Sequence, residues 1–142
     1  MLNTSQLHPL TVHFPIAFLI IAFIFEVLVV TFKNHRVLNI VGFYLFLIGT
    51  LGAIVAVISG NLFTEELSGP VGDVLESHHQ YAFITMYLAI ATSLFKVYLM
   101  AAKKEETSLK WVSFAAMFIT MIAVGLTGYF GGSIVYDYMI KM

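Results

Sequence analysis

Histidine is the residue type in this chain best placed to do chemistry. Five occur among 142 residues, and four of them, His8, His13, His78 and His79, stand at the starts of two long apolar runs. The chain has no cysteine. Disulfides, thiolate metal sites, iron–sulfur clusters and covalently attached c-type haem all need sulfur and are excluded. Imidazole is then the remaining strong nitrogen ligand, suited to iron, copper or zinc. His35 lies in a basic segment beside Arg36 and reads as a solvated loop residue. Glu26 is the other chemically loaded position, a carboxylate well inside the first apolar run, where charge is costly. It reads as a neutral acid hydrogen-bonded between helices, with Thr120 or Thr127 as partner, or as a step on a proton path. Ser59, Ser68 and Ser133 lack nucleophile-elbow spacing, and no phosphate loop or dinucleotide fingerprint is present. The chemistry to expect is cofactor binding or electron transfer rather than catalysis of hydrolysis.

The elements that must position these residues are membrane helices. Hydrophobic residues make up 60% of the chain and charged residues 11%, with a mean hydropathy of +0.93, outside the range of soluble domains. The net charge of -1 offers no basic face to nucleic acid. About 20 apolar residues span a bilayer as helix, since every backbone polar group must be satisfied within the segment. Four stretches qualify, at roughly residues 9–32, 37–63, 78–102 and 109–140. The second and fourth are long enough to tilt or project. No Lys or Arg precedes the first run and no small-residue cleavage site follows it, so it is expected to stay as an anchor rather than act as a signal peptide. Short connections at Lys33 to Arg36 and Lys103 to Ser108 force antiparallel neighbours. The expected fold is all-α, an integral membrane up-down-up-down four-helix bundle forming a single domain over residues 1–142. Its irregular segment is the middle loop with Ser68, Gly69, Pro70 and Gly72.

Charge sets the expected orientation. Lys33 and Arg36 separate the first two spans, and Lys103, Lys104 and Lys110 the last two. Lys96 is expected to snorkel toward that same side. Glu65, Glu66, Asp73 and Glu76 occupy the middle connection, which carries no Lys or Arg. The positive-inside rule then makes the basic face cytoplasmic and puts both termini on the outer, periplasmic side of a bacterial inner membrane.

In lipid, helices associate through small residues and a few polar contacts. Gly42, Gly49, Gly52, Ala53, Ala56 and Gly60 form such a stripe on the second span, and Gly125, Gly128 and Gly132 another on the fourth, with Gly131 beside them. Gly42 and Gly49 read as helix contacts. Gly60, Gly128, Gly131 and Gly132, near the outer ends, let a flat cofactor approach the backbone. Gly128 and Gly132 are expected to face the bundle. On the third span, His78 shares a stripe with Ala82, Thr85, Ala89, Thr92 and Lys96 at 100° per residue, whereas His79 points about a quarter-turn away. His78 or His79 is therefore the candidate from that helix. On the first span His13, just before Pro15, is the deeper candidate and His8 the alternative. The first and third spans are parallel and diagonally opposed, about 14 Å apart for helices packed at about 10 Å. Two inward imidazoles with one metal between them fill that gap.

The segments HPLTVHFPIAF, from His8 to Phe18, and GYFGGSIVY, from Gly128 to Tyr136, with His78 and His79 between, resemble the small bacterial membrane proteins of domain-of-unknown-function family 2231. The opening HP-x-x-VHFPIA is the most specific part, and the similarity covers all four spans. The resemblance implies a four-helix membrane module, joined in some members to cytochrome-like domains, and hence haem or redox work. Many members continue past the GG-x-x-VY segment into a His-Gly pair, whereas this chain reads VYDYMIKM.

The function expected from these residues is b-type haem binding at the outer face, through His13 and His78 or His79, with electron transfer to quinone or to a redox protein. No histidine lies in the cytoplasmic half of a span, so one chain has no second haem site across the bilayer. Two other classes stand beside this one: a copper or zinc site built from His8, His13, His78 and His79, with Glu76 or Asp73, and a non-catalytic scaffold or small transporter centred on Glu26. A homo-oligomer is compatible with all three.

Overall fold

In the computed structural model, which describes residues 7–32, 36–63 and 67–139, each apolar stretch is one helix. These are α1 (Leu7–Thr31), α2 (Arg36–Phe63), α3 (Pro70–Ala101) and α4 (Leu109–Ser133), the last continued by a π-helical segment, Ile134–Met139. All four are long and apolar enough to cross a bilayer. Between 22% and 39% of each span is buried inside the protein. Most apolar side chains, among them Ile24, Leu51, Tyr87 and Ile119, therefore face outward and need lipid as their solvent. Lys33, His35, Glu65, Glu66 and Lys141 lie outside the described residues.

The main departure from expectation is where α3 starts, at Pro70 rather than near residue 78. Gly69 takes φ +73, a left-handed conformation that glycine adopts without strain, and Pro70 follows at the first helical position, where its missing N–H costs nothing. Asp73 in the first turn complements the helix dipole. Asp73 and Glu76, expected in a loop, thus lie in the first two turns of a 32-residue helix, about 48 Å long. α3 ends sharply. Lys103 adopts φ 55, and Lys104 N–H reaches back to the Leu99 carbonyl at 2.8 Å, so the chain turns directly toward α4.

The helices pack as a ring in chain order, which leaves α1 and α3 on one diagonal. α1 and α2 form the closest pair, because the small stripe of α2 receives the large residues of α1. A side-chain carbon at Gly49 would sit 2.9 Å from Leu19, and one at Gly52 would sit 3.1 Å from Pro15. α1 and α4 are the loosest neighbours. At mid-height an apolar core forms where Leu19 and Ala22 of α1, Phe46 of α2 and Met117 and Val124 of α4 meet. Side-chain hydroxyls are paired around it, Thr50 with Ser93 at 2.8 Å and Thr85 with Thr127 at 3.0 Å.

Candidate functional site

The inward stripe of α1 runs through His8, Thr11, Pro15, Leu19, Ala22 and Glu26, because these residues meet α2, α3 or the core. His13 lies about 160° from the centre of that stripe and is exposed on the outside of the helix. The expectation that His13 points inward is corrected for this reason: packing of Pro15 and Leu19 onto Gly52 and Gly49 sets the rotation of α1. His8 takes the inward place instead.

Eighteen positions separate His8 from Glu26 on α1, and eighteen separate His78 from Lys96 on α3. Eighteen residues are five turns, so each pair lies on one line of its helix, about 27 Å apart. Since α1 and α3 run parallel on the diagonal, each line meets the other twice. At one end the His8 and His78 rings stand 6.1 Å apart between centroids, their planes crossing at 77°. At the other end Lys96 Nζ donates to Glu26 Oε2 at 2.7 Å.

The histidine end is built in the same way from both hairpins. The His8 ring lies on Gly60 of α2, where an added side-chain carbon would be 3.0 Å from its Cε1. The His78 ring lies on Gly131 of α4, where the same carbon would be 3.1 Å away. His78 Nδ1 is 3.0 Å from the Thr127 carbonyl, which only accepts, so Nδ1 carries the proton. Ser59 Oγ donates to the Ala56 carbonyl at 2.9 Å, so His8 Nδ1, 3.1 Å from Ser59 Oγ, is the donor there. Both rings thus commit Nδ1 and leave Nε2 as the nitrogen available to a ligand. Thr11 steadies this end, donating to the His8 carbonyl at 2.9 Å and approaching Ser59 at 3.1 Å. Burial holds His8 below the usual imidazole range, and neighbouring His78 adds to the effect, against an opposing contribution from the Ala56 carbonyl. His79 is beside the pair, 6.0 Å from His78 between centroids, with Nε2 buried and unpartnered among the described residues. Tyr81 stacks on Phe130 at 5.2 Å and ties α3 to α4 at this level.

The glycines divide into two kinds. Gly60 and Gly131 admit the imidazoles themselves. Gly128 and Gly132 do not pack against another helix: an added side-chain carbon at either meets nothing within 4 Å, and Gly128 is exposed. They were expected to face the bundle. Instead the loose fit of α1 on α4 leaves a groove of about 320 Å³ lined by Ile20, Phe23, Ile24, Gly125 and Gly128.

At the opposite end, two expectations are corrected together. Lys96 does not snorkel to the surface, and Glu26 is not partnered by Thr120 or Thr127. The two form a buried ion pair, with Ser113 Oγ 3.4 Å from both Glu26 Oε1 and Lys96 Nζ. The signal was present in the sequence, since Lys96 shares its stripe with His78 and Glu26 shares one with His8. A surface position for Lys96 would leave the Glu26 charge unopposed in hydrocarbon.

Among the described residues no group of three or more His, Cys, Asp or Glu side chains is placed to hold a metal ion. The four-histidine copper or zinc set would need His13, which points away from the others. No curated protein and no solved structure matches the chain. The profile of the DUF2231 family, described as a predicted membrane protein, matches residues 4–142, and the chain belongs to that family.

Proposed function

We propose that this membrane protein binds haem b at the histidine end through His8 and His78 and serves there as an electron-transfer module, passing electrons to quinone or to a redox protein. The observation that carries the reading is the His8–His78 pair: two neutral imidazoles from diagonal helices, each pinned through Nδ1, with ring centroids 6.1 Å apart. His8 and His78 would hold the haem iron through their free Nε2 atoms, and the anchoring of the second nitrogen is the usual arrangement behind a metal-bound histidine. The side on which α1 and α4 part, where Gly128 and Gly132 leave open space, supports entry of a flat macrocycle. Bound haem would supply one-electron chemistry; the protein orients the two rings and places the apolar cluster of Leu19, Ala22, Phe46, Met117 and Val124 beneath them.

All four histidines among the described residues lie at this end. One chain thus offers a relay at one membrane face rather than a path across. The basic connections favour the opposite face as the cytoplasmic one, with both termini periplasmic in a bacterial inner membrane. A reporter fused after Met142 should be active only outside the cytoplasm.

The test is the visible spectrum of protein purified in mild detergent after expression with ample haem. Wild type should show the sharp reduced bands of a bis-imidazole haem. His8→Ala and His78→Ala should each lose or convert it, while His13→Ala and His79→Ala should keep it. Folded protein without colour, or loss with His13→Ala equal to that with His8→Ala, would overturn the reading.

A further inference from the structure

Glu26, Lys96 and Ser113 are deep in the bundle, yet one side of the cluster is not sealed. A cavity of about 20 Å³ lies against it, lined also by Asn39, Glu105 and Lys110. That volume accommodates one water, for which about 10–15 Å³ suffices. Glu105 belongs to the α3–α4 connection, and its Oε2 is buried with no hydrogen-bond partner among the described residues. A buried acceptor beside a polar, water-sized space is a place for a water molecule that donates to it. On the far side of the ion pair the situation is reversed. Ala22, Met117 and Phe46, each at 0% exposure, close the α1, α2 and α4 sides one turn beyond Glu26 and Ser113, Leu19 and Val124 continue the closure, and on the α3 side the buried hydroxyls are paired with one another, Thr92 with Thr120 and Ser93 with Thr50.

We propose that Glu26 is a protonatable site served by water from the α3–α4 end of the bundle alone. Glu26 Oε2 is committed to Lys96 at 2.7 Å, whereas Oε1 has only the long 3.4 Å contact from Ser113. Oε1 is therefore the atom that takes the proton. A hydronium at the mouth passes its excess proton through the cavity water to Oε1. The water is regenerated and Glu26 becomes the neutral acid. The charged groups facing the site are Lys96 from α3, Glu105 from the connection and Lys110 from α4; α2 contributes the uncharged Asn39.

The absence of native cysteine allows a direct test of water access. In Ser113→Cys and in Thr120→Cys, separately reconstituted into lipid bilayers, the S–H stretch belongs to the introduced thiol alone, and its conversion to S–D in heavy water can be timed by infrared spectroscopy. Cys at 113, against the cavity, should exchange about tenfold or more faster than Cys at 120, which lies behind Met117. Equal rates would overturn the one-sided access. Acidification of wild-type vesicles should raise a carboxylic-acid band that is missing in Glu26→Gln. It should rise when acid is added on the side of the α3–α4 connection and not when added on the histidine side. A band that follows the histidine side, or no Glu26-dependent band while the protein stays folded, would defeat the proposal.

Discussion

The Glu26–Lys96 pair makes a quantitative prediction because removing either member leaves the other's charge buried without its partner. Their side chains are 8% and 6% exposed and meet at 2.7 Å. Removing one partner of a buried pair costs about 3–5 kcal/mol. Lys96→Met and Glu26→Gln should therefore each destabilise by about 3–5 kcal/mol. Glu26→Gln with Lys96→Met leaves no charge behind and should cost about 1–2 kcal/mol, far less than the two singles together. The assay is unfolding in mixed micelles followed by the fluorescence of Trp111, the one tryptophan, which sits a half-turn from Ser113 on α4. Single variants that each cost under about 1 kcal/mol, or a double variant equal to the sum of the singles, would refute the reasoning.

The remaining predictions concern the histidine end. Gly128→Ala meets open space and gains the helix preference of alanine, so it should be neutral or stabilising by up to about 1 kcal/mol; Gly131→Ala gains the same preference but presses on a His78 ring held by Thr127, and should come out about 1–2 kcal/mol less stable than Gly128→Ala in the same micelle assay. The depressed pKa of His8 stabilises the folded state fully only above the ordinary imidazole value of about 6.5, and that contribution is lost as pH falls from there toward the folded value. The unfolding midpoint of cofactor-free protein should therefore drop between about pH 7.5 and pH 5.5, with a shallower drop in His8→Gln. An equal slope in the two proteins would remove His8 as the cause.

Much of this architecture was legible because membrane solvation leaves few choices. Four apolar stretches with short connections admit an antiparallel bundle and little else, and the ring order α1 to α4 follows. The start of α3 was less legible. Gly69 and Pro70 signal a turn and also open a helix, and the acidic residues after them look like a loop until their place in the first turns is seen. The rotation of α1 was the decisive gap. His13 and Glu26 lie on nearly opposite faces, so only one can be inward, and hydropathy does not choose between them. Packing chooses, through the fit of Pro15 and Leu19 into the glycine notches of α2. The choice could have been made from charge alone: an unpaired carboxylate in hydrocarbon is costlier than an imidazole at the interface, so Glu26 must find Lys96, and His8, five turns away on the same line, must then be inward. Nothing in the sequence marks the Thr127 carbonyl as the group that orients His78, since a backbone acceptor has no residue signature.

The two polar ends bear on each other less than their shared helices suggest. They are about 27 Å apart along α1 and α3, and the layer of Leu19, Ala22, Phe46, Met117 and Val124 separates them without a titratable group. Two unit charges at about 27 Å interact by about 0.6 kcal/mol at an effective dielectric constant of about 20. For a one-electron couple that is about 26 mV, less than the 59 mV that marks a tenfold change. If haem is bound by His8 and His78, Glu26→Gln should leave its spectrum unchanged and move its midpoint potential by no more than about 30 mV, and the same small shift should bound any pH dependence arising at Glu26. His79→Ala removes a side chain 6.0 Å from His78 and should move the potential more than Glu26→Gln does. A Glu26→Gln shift of about 60 mV or greater would mean that water or a charged group bridges the layer, and the one-sided access inferred for Glu26 would fail with it.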